Sequence, residues 1–273
     1  MKKYLVTAAT LLAVGLIAGC GSSTGTSPST TASIAGKVAD GYLVNATVFM
    51  DKNSNYQLDT GEPFAMTNAN GAYTMTVDAA DMGKYPIVAM ANKGVTIDLD
   101  NPTQTVTYSY VMSMPKDSIS GTVSSNFITP MSSQLREMME TGKYATIQQA
   151  MVDLGNKLGM PAGTNMLQDY MAANHVGMHT AAQNIANVMG TQMAQVMGTG
   201  GTASPVHVDR YRGMMGAIFS NMSSIRGANA QTNMPILANM MTAALVNMPP
   251  TNGVLPYRNM SSAFRGGMGM MGR

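Results

Sequence analysis

The chain has 273 residues, 16 basic against 14 acidic side chains, a single cysteine, 30 methionines, no tryptophan and only 6% aromatic residues. One cysteine excludes an internal disulfide framework. The near-balanced charge carries no signal for specific nucleic-acid recognition, and the scarcity of aromatics argues against a carbohydrate-stacking cleft.

MKKYLVTAATLLAVGLIAGC opens the chain. Lys2 and Lys3 precede an uncharged run too short and too rich in Gly and Ala for a settled membrane span, and the run ends in small residues as a secretory signal does. The closing Leu16-Ile17-Ala18-Gly19-Cys20 resembles a bacterial lipobox. The resemblance implies cleavage before Cys20, a diacylglycerol on its thiol and anchorage at about 0.8 kcal/mol per buried methylene. Gly21, where an inner-membrane retention signal would resemble Asp, favours the outer membrane. Loss of Lys2 and Lys3 leaves 14 bases and 14 acids. Residues 20–115 then hold 4 bases and 8 acids, and residues 116–273 hold 10 and 6, which supports two modules of opposite charge.

Ser, Thr, Gly and Pro fill residues 21–32, a flexible tether after the lipidated cysteine. Residues 33–115 carry strand patterns: 33–38, 46–50, 72–77 after the Asn70-Gly71 turn signal, 85–91, 95–99 and 105–112. A small antiparallel β-sandwich is expected there. From Pro130 the period changes to that of amphipathic helices. Met131, Leu135 and Met138 mark the first; Ile147, Met151, Leu154 and Leu158 the second; Ile185, Val188, Met189 and Met193 the third. Met215, Ile218 and Met222 mark a fourth and Leu237, Met241 and Leu245 a fifth. The expected class is α+β: the sandwich, then a separate all-α Met-rich module over 116–248, then a loose Gly/Met/Arg tail over 249–273.

DKNSNYQLDTGE, residues 51–62, interrupts the β-rich part. Asp51, Asn53, Asn55, Asp59 and Glu62, with the backbone carbonyl of Gln57, stand at the ligand positions of a calcium loop, where hard oxygens recur at alternate places. The flanks are strand-like, and Pro63 follows, so the setting is not that of an EF-hand. With TNANGAYTM at 67–75, the stretch from Asp40 to Pro63 resembles the calcium-loop β-modules of bacterial surface proteins, in the wider family of collagen-adhesin B-type and carboxypeptidase regulatory-like domains. That resemblance implies a transthyretin-like or immunoglobulin-like sandwich and a weak calcium site of about 0.1–1 mM. One departure stands out: where such loops place glycines at positive φ, this one has Ser54 and Tyr56, at a cost of about 1–2 kcal/mol each. The plainer alternative is an ion-free polar hairpin held by Asn and Asp side-chain turns.

The methionines raise a second possibility, since thioethers prefer soft ions such as copper(I). His175, Met178 and His179 share helical spacing and form the best such set, and Met268, Met270 and Met271 lie in the tail. Most methionines nevertheless fall where core leucines would sit, so packing explains them directly. A third possibility is polyanion binding by the six arginines of residues 210–273, which hold no acid. FITPMSSQL and the following IQQAMVDLGNKLGMPAGTNMLQDY resemble the segment after β-modules in some bacterial lipoproteins, which implies organisation and no catalytic residue. Asp153 and Asp169 read as solvated, and no base stands beside Ser132 or Ser133. His207 and Asp209 form a pair with no placed nucleophile. The reading is a lipid-anchored structural or interaction protein, not an enzyme, with an envelope protein or polyanion as partner.

Overall fold

The computed structural model describes residues 31–121, 126–197 and 206–226, with helical positions 235, 238, 239 and 241–243. Cys20, residues 21–30 of the expected tether and the Met268–Met271 tail lie outside the described residues; Thr31 and Ala32, expected as the end of the tether, instead open the first strand, opposite Asp78 and Val77. The class is α+β: a β-rich part leads and a helical part follows. Strands β1 (Thr31–Val38), β2 (Leu43–Val44), β3 (Thr47–Met50), β4 (Phe64–Met66), β5 (Ala72–Asp78), β6 (Ile87–Ala91), β7 (Ile97–Asp98), β8 (Tyr110–Met114) and β9 (Phe127–Ile128) form three sheets. Their orders are β5-β1-β9, β4-β3-β6-β8 and the ribbon β2-β7.

The strand pattern has a direct cause in β5, where Tyr73, Met75 and Val77 point inward and Thr74 and Thr76 face solvent. Its antiparallel register sets Met75 opposite Ile34 of β1. Gly71 supplies the positive φ of +70° that the preceding turn needs. One pairing departs from the antiparallel expectation. β9 joins β1 in parallel, Lys37 opposite Phe127, and it comes from residues that the sequence pattern assigns to the helical module.

The helices are α1 (Pro130–Glu140), α2 (Ile147–Leu158), α3 (Val176–Met197), α4 (Val208–Ser220) and α5 (Met222–Arg226). α1 starts where Thr129 and Ser132 cap one another's backbone and Pro130 takes the first turn, where its missing N–H costs nothing. α2 stops at Gly159 in the left-handed region, with φ +62°. Met131, Met138, Met178, Met189, Met193, Met214, Met215 and Met222 are all buried, so these methionines serve as core.

The two parts are not spaced apart. Every residue of β8 is buried, which requires cover on both faces. β8 ends its sheet, and an edge strand leaves backbone groups unpaired. The helices satisfy them: Ser113 N donates to Ser133 Oγ at 2.9 Å, Ser132 Oγ donates to Ser113 O at 2.6 Å, and Tyr211 OH donates to Val111 O at 3.0 Å. Ser132 and Ser133 are therefore edge caps. One continuous apolar core runs from Ile34 to Met241. Asp169 is likewise no solvated residue; it accepts from Tyr42 OH at 2.9 Å and pairs with Lys37 at 3.2 Å. Asp153 accepts from Tyr144 OH. Among the described residues, no helix is long and apolar enough to cross a membrane.

Candidate functional site

The loop at 51–62 joins β3 to β4. It winds through two left-handed residues, Ser54 at φ +59° and Tyr56 at φ +62°. These are the positions where a calcium loop places glycine, so the backbone takes that shape despite its side chains. Asn53 Oδ1 accepts from Asn55 N at 3.3 Å, and Asn55 Oδ1 from Gln57 N at 2.8 Å, which are the side-chain turns expected of Asn. Both Nδ2 groups then converge on Asp59 Oδ2, each at 2.7 Å. Glu62 closes the far end, accepting from Lys52 N at 2.7 Å and Asp59 N at 3.0 Å. Burial raises its carboxyl above the ordinary value, partly offset by those two backbone donors.

Asp51 is the inner member of the set and is fully buried. Its Oδ1 accepts from Asn55 N at 3.0 Å, and its Oδ2 from Tyr56 N at 3.2 Å and from Arg136 Nη2 at 3.0 Å. The guanidinium comes from α1, 85 residues along the chain. The Tyr56 side chain turns inward and is fully buried. Its ring lies 4.1 Å under the Arg136 guanidinium and 4.4 Å from the Tyr211 ring of α4, and its hydroxyl donates to Glu137. Arg136 Nε also meets Glu140 at 3.0 Å. Arg212 of α4 pairs with Glu140 and lies 3.5 Å from Glu137. The loop is thus a clasp: its outer rim is polar, and its inner side inserts an acid and an aromatic ring among the charges of α1 and α4.

The residues suit calcium in type and in backbone shape. Arg136 opposes that fit, because it already neutralises Asp51, and the two amide N–H groups on Asp59 occupy the middle of the rim. Calcium there would be held by Asn53, Asn55, Asp59, the Gln57 carbonyl and Glu62, with Asp51 shared with the guanidinium. The ion would supply charge neutralisation, and the residues would supply a rim already wound around it.

His175, Met178 and His179 are not brought together. His175 Nδ1 accepts from Met178 N at 3.3 Å and caps α3. The Met178 sulfur is buried and accepts from Gln168 at 3.1 Å. His179 pairs with Asp100 at 2.6 Å and stacks on Tyr170. Of the arginines of 210–273, Arg210 donates to Gln195 O at 2.9 Å, Arg226 to Leu158 O at 3.1 Å, and Arg212 belongs to the clasp. His207 precedes α4 with no side-chain cap, and Asp209 is buried.

Two buried carboxyls hold protons unusually well. Burial, then the charge of Glu140, pushes Glu137 up to about 7 against the pull of Arg136 and Arg212. Burial, then the charge of Asp98, pushes Asp40 up to about 8. In the unfolded chain both would ionise near pH 4. Between those limits the folded state binds more protons, so its stability falls as pH rises from about 4 to about 8 and levels off above that. Thermal melts across this range are expected to show that decline, with Asp40→Asn flattening its upper part; a rise in stability over the same range would contradict it.

Sequence reasoning missed Arg136, Glu137, Tyr211 and Arg212, since no spacing links them to the loop. Tyr56 was visible as an oddity, a bulky residue where glycine belongs. Comparison with models of protein families, with curated proteins and with solved structures found no match to this chain.

Proposed function

We propose that this chain is a lipid-anchored cell-envelope protein of the structural or interaction class, held to the outer membrane through Cys20, with a β-part whose 51–62 loop takes calcium at its rim. The observation that supports the calcium reading is the pair of left-handed residues, Ser54 and Tyr56, at the two places where the ligand spacing of such a loop demands them. A bulky residue accepts that conformation only when something compensates, and for Tyr56 the compensation is burial against α1 and α4. The loop therefore has two tasks. Its inner side ties the β-part to the helices, and its rim offers Asn53, Asn55, Asp59 and Glu62 to a cation outside the cell, where calcium is abundant. Binding would stiffen the rim and, through Asp51, the clasp. A rigid anchored body of this kind presents a surface to an envelope partner rather than performing chemistry.

Melting the full chain in about 10 mM calcium and in chelator tests this. For affinity of about 0.1–1 mM, mass action predicts about 1–3 kcal/mol of added stability. Asp59→Ala should abolish the gain. Asp51→Ala is the wrong variant, because it unpairs Arg136 whether or not calcium binds. No shift, or a shift that survives Asp59→Ala, would remove calcium from the account and leave the loop as an ion-free clasp.

A further inference from the structure

The sheet β4-β3-β6-β8 changes character across its width. At β8 every residue is buried, and at β4, the opposite edge, Phe64 is 59% and Met66 47% exposed. The register sets both on one face, Phe64 opposite Phe49 and Met66 opposite Thr47, with the half-buried Met90 next across from Thr47. Leu58, 38% exposed, lies in the loop that runs into this strand. An apolar strip thus faces solvent within residues 58–66. It lies toward the end of the body where the described chain begins. β1 starts at Thr31, opposite Asp78. Asp81, three residues on, pairs with Lys52 at 2.7 Å. Two residues before Lys52, Met50 N donates to Pro63 O at 3.0 Å, beside Phe64.

Chain length decides what this strip can reach. Thr31 stands eleven residues after Cys20, a covalent span of at most about 40 Å. That is enough to lay residues 58–66 on the surface in which a lipid on Cys20 is embedded. Area decides against a second copy of the chain. Three partly exposed side chains offer on the order of 300 Å², against about 800 Å² per partner in a stable interface. A lipid surface sets no such threshold, because the anchor already supplies attachment and every further contact is intramolecular. Charge then selects the kind of surface. Asp59 and Glu62 border the strip, so an anionic headgroup is repelled, and the ammonium of a zwitterionic headgroup is met by an acid.

We infer that Leu58, Phe64 and Met66 enter the boundary between headgroups and acyl chains of a zwitterionic phospholipid surface, and so hold the body on its membrane in one orientation. The inference rests on lipidation of Cys20. The opposite end of β1 would then point away from the membrane. Tyr170 marks that end, since its hydroxyl donates to Ala39 O at 3.0 Å, just past Val38.

The chain has no tryptophan, so one introduced at position 64 reports alone. Phe64→Trp changes an exposed side chain and leaves the core intact. The lipidated full-length protein carrying it is placed in vesicles of phosphatidylethanolamine and phosphatidylcholine, in chelator so that calcium plays no part. Its emission should move to shorter wavelength and be quenched by bromine carried on the lipid acyl chains. Adding Met66→Asp should weaken that quenching. Val176→Trp is the control: Val176 is exposed and follows His175, whose N–H donates to Tyr170 O at 2.9 Å, so it belongs to the far end and should stay unquenched. Absent quenching at position 64, equal quenching at both positions, or quenching unchanged by Met66→Asp would overturn the inference. A shift to shorter wavelength without lipid quenching would overturn it as well, since protein, a second copy or an envelope partner, would then cover the strip. Mass spectrometry of Cys20 separates the two readings. An unmodified thiol removes the anchor and the orientation together, whereas a lipidated chain with an unquenched tryptophan removes the orientation alone.

Discussion

Arg136→Met is expected to destabilise the protein by about 3–5 kcal/mol, the cost of leaving a buried charge without its partner. The side chain is 1% exposed and meets two acids: Asp51, fully buried, at 3.0 Å, and Glu140 at 3.0 Å. Methionine replaces most of the volume, so the loss reports charge rather than a cavity. Asp51 would keep its two backbone donors and lose the one cation that pairs with it among the described residues. Exposed ion pairs contribute about 0–1 kcal/mol, so a loss that small would mean that the pair is solvated and that the clasp is incidental. The double variant Asp51→Asn with Arg136→Met should cost clearly less than the two single losses added together, since neither charge is then stranded. Urea unfolding of the four proteins completes the cycle.

Tyr56 has the second large effect and an unusual order among its variants. Tyr56→Ala removes a fully buried aromatic side chain, which costs about 3–5 kcal/mol. Alanine also retains the penalty of φ +62°. Tyr56→Gly loses the same ring and relieves that penalty, so it should be more stable than Tyr56→Ala by about 1 kcal/mol. Elsewhere the order is reversed, because glycine has more conformational entropy to lose on folding. Tyr56→Phe keeps the ring and leaves the Glu137 oxygen without its donor, for about 1–3 kcal/mol. The same urea series measures all three. Alanine more stable than glycine would show that the loop rewinds when the ring is gone.

Much of the fold was legible from local chemistry. The alternation of Tyr73, Met75 and Val77 marked β5, and the 3.6-residue period placed α1, α2, α3 and α4, because burial of one face dictates these patterns. The spacing of Asp51, Asn53 and Asn55 marked the loop and set Ser54 and Tyr56 where glycines usually stand, but it did not show that these two side chains would still adopt the left-handed conformation. The joining of the two parts was not. Ser132 and Ser133 cap a strand edge that no local pattern announces, and Arg136 meets Asp51 across 85 residues. The period could tell that α1 has a buried face. It could not tell that Gln134, Arg136 and Glu137 are buried as well, since polar residues read as solvent-facing until their partners are known. For the same reason Asp40 passed unnoticed. The histidine pair failed in the opposite direction: helical spacing set His175 beside His179, but cap formation and Asp100 turned the two rings to different tasks.

The 51–62 clasp should make the β-part and the helices one cooperative unit. Native-state hydrogen exchange on the full chain under rising urea measures this, by following amides of β3 and β6 alongside those of α1 and α4. Both sets should reach the same opening free energy in the wild-type protein, and Arg136→Met should lower the two together. Helical amides that exchange through a separate, lower-energy opening while β3 and β6 stay protected would contradict it.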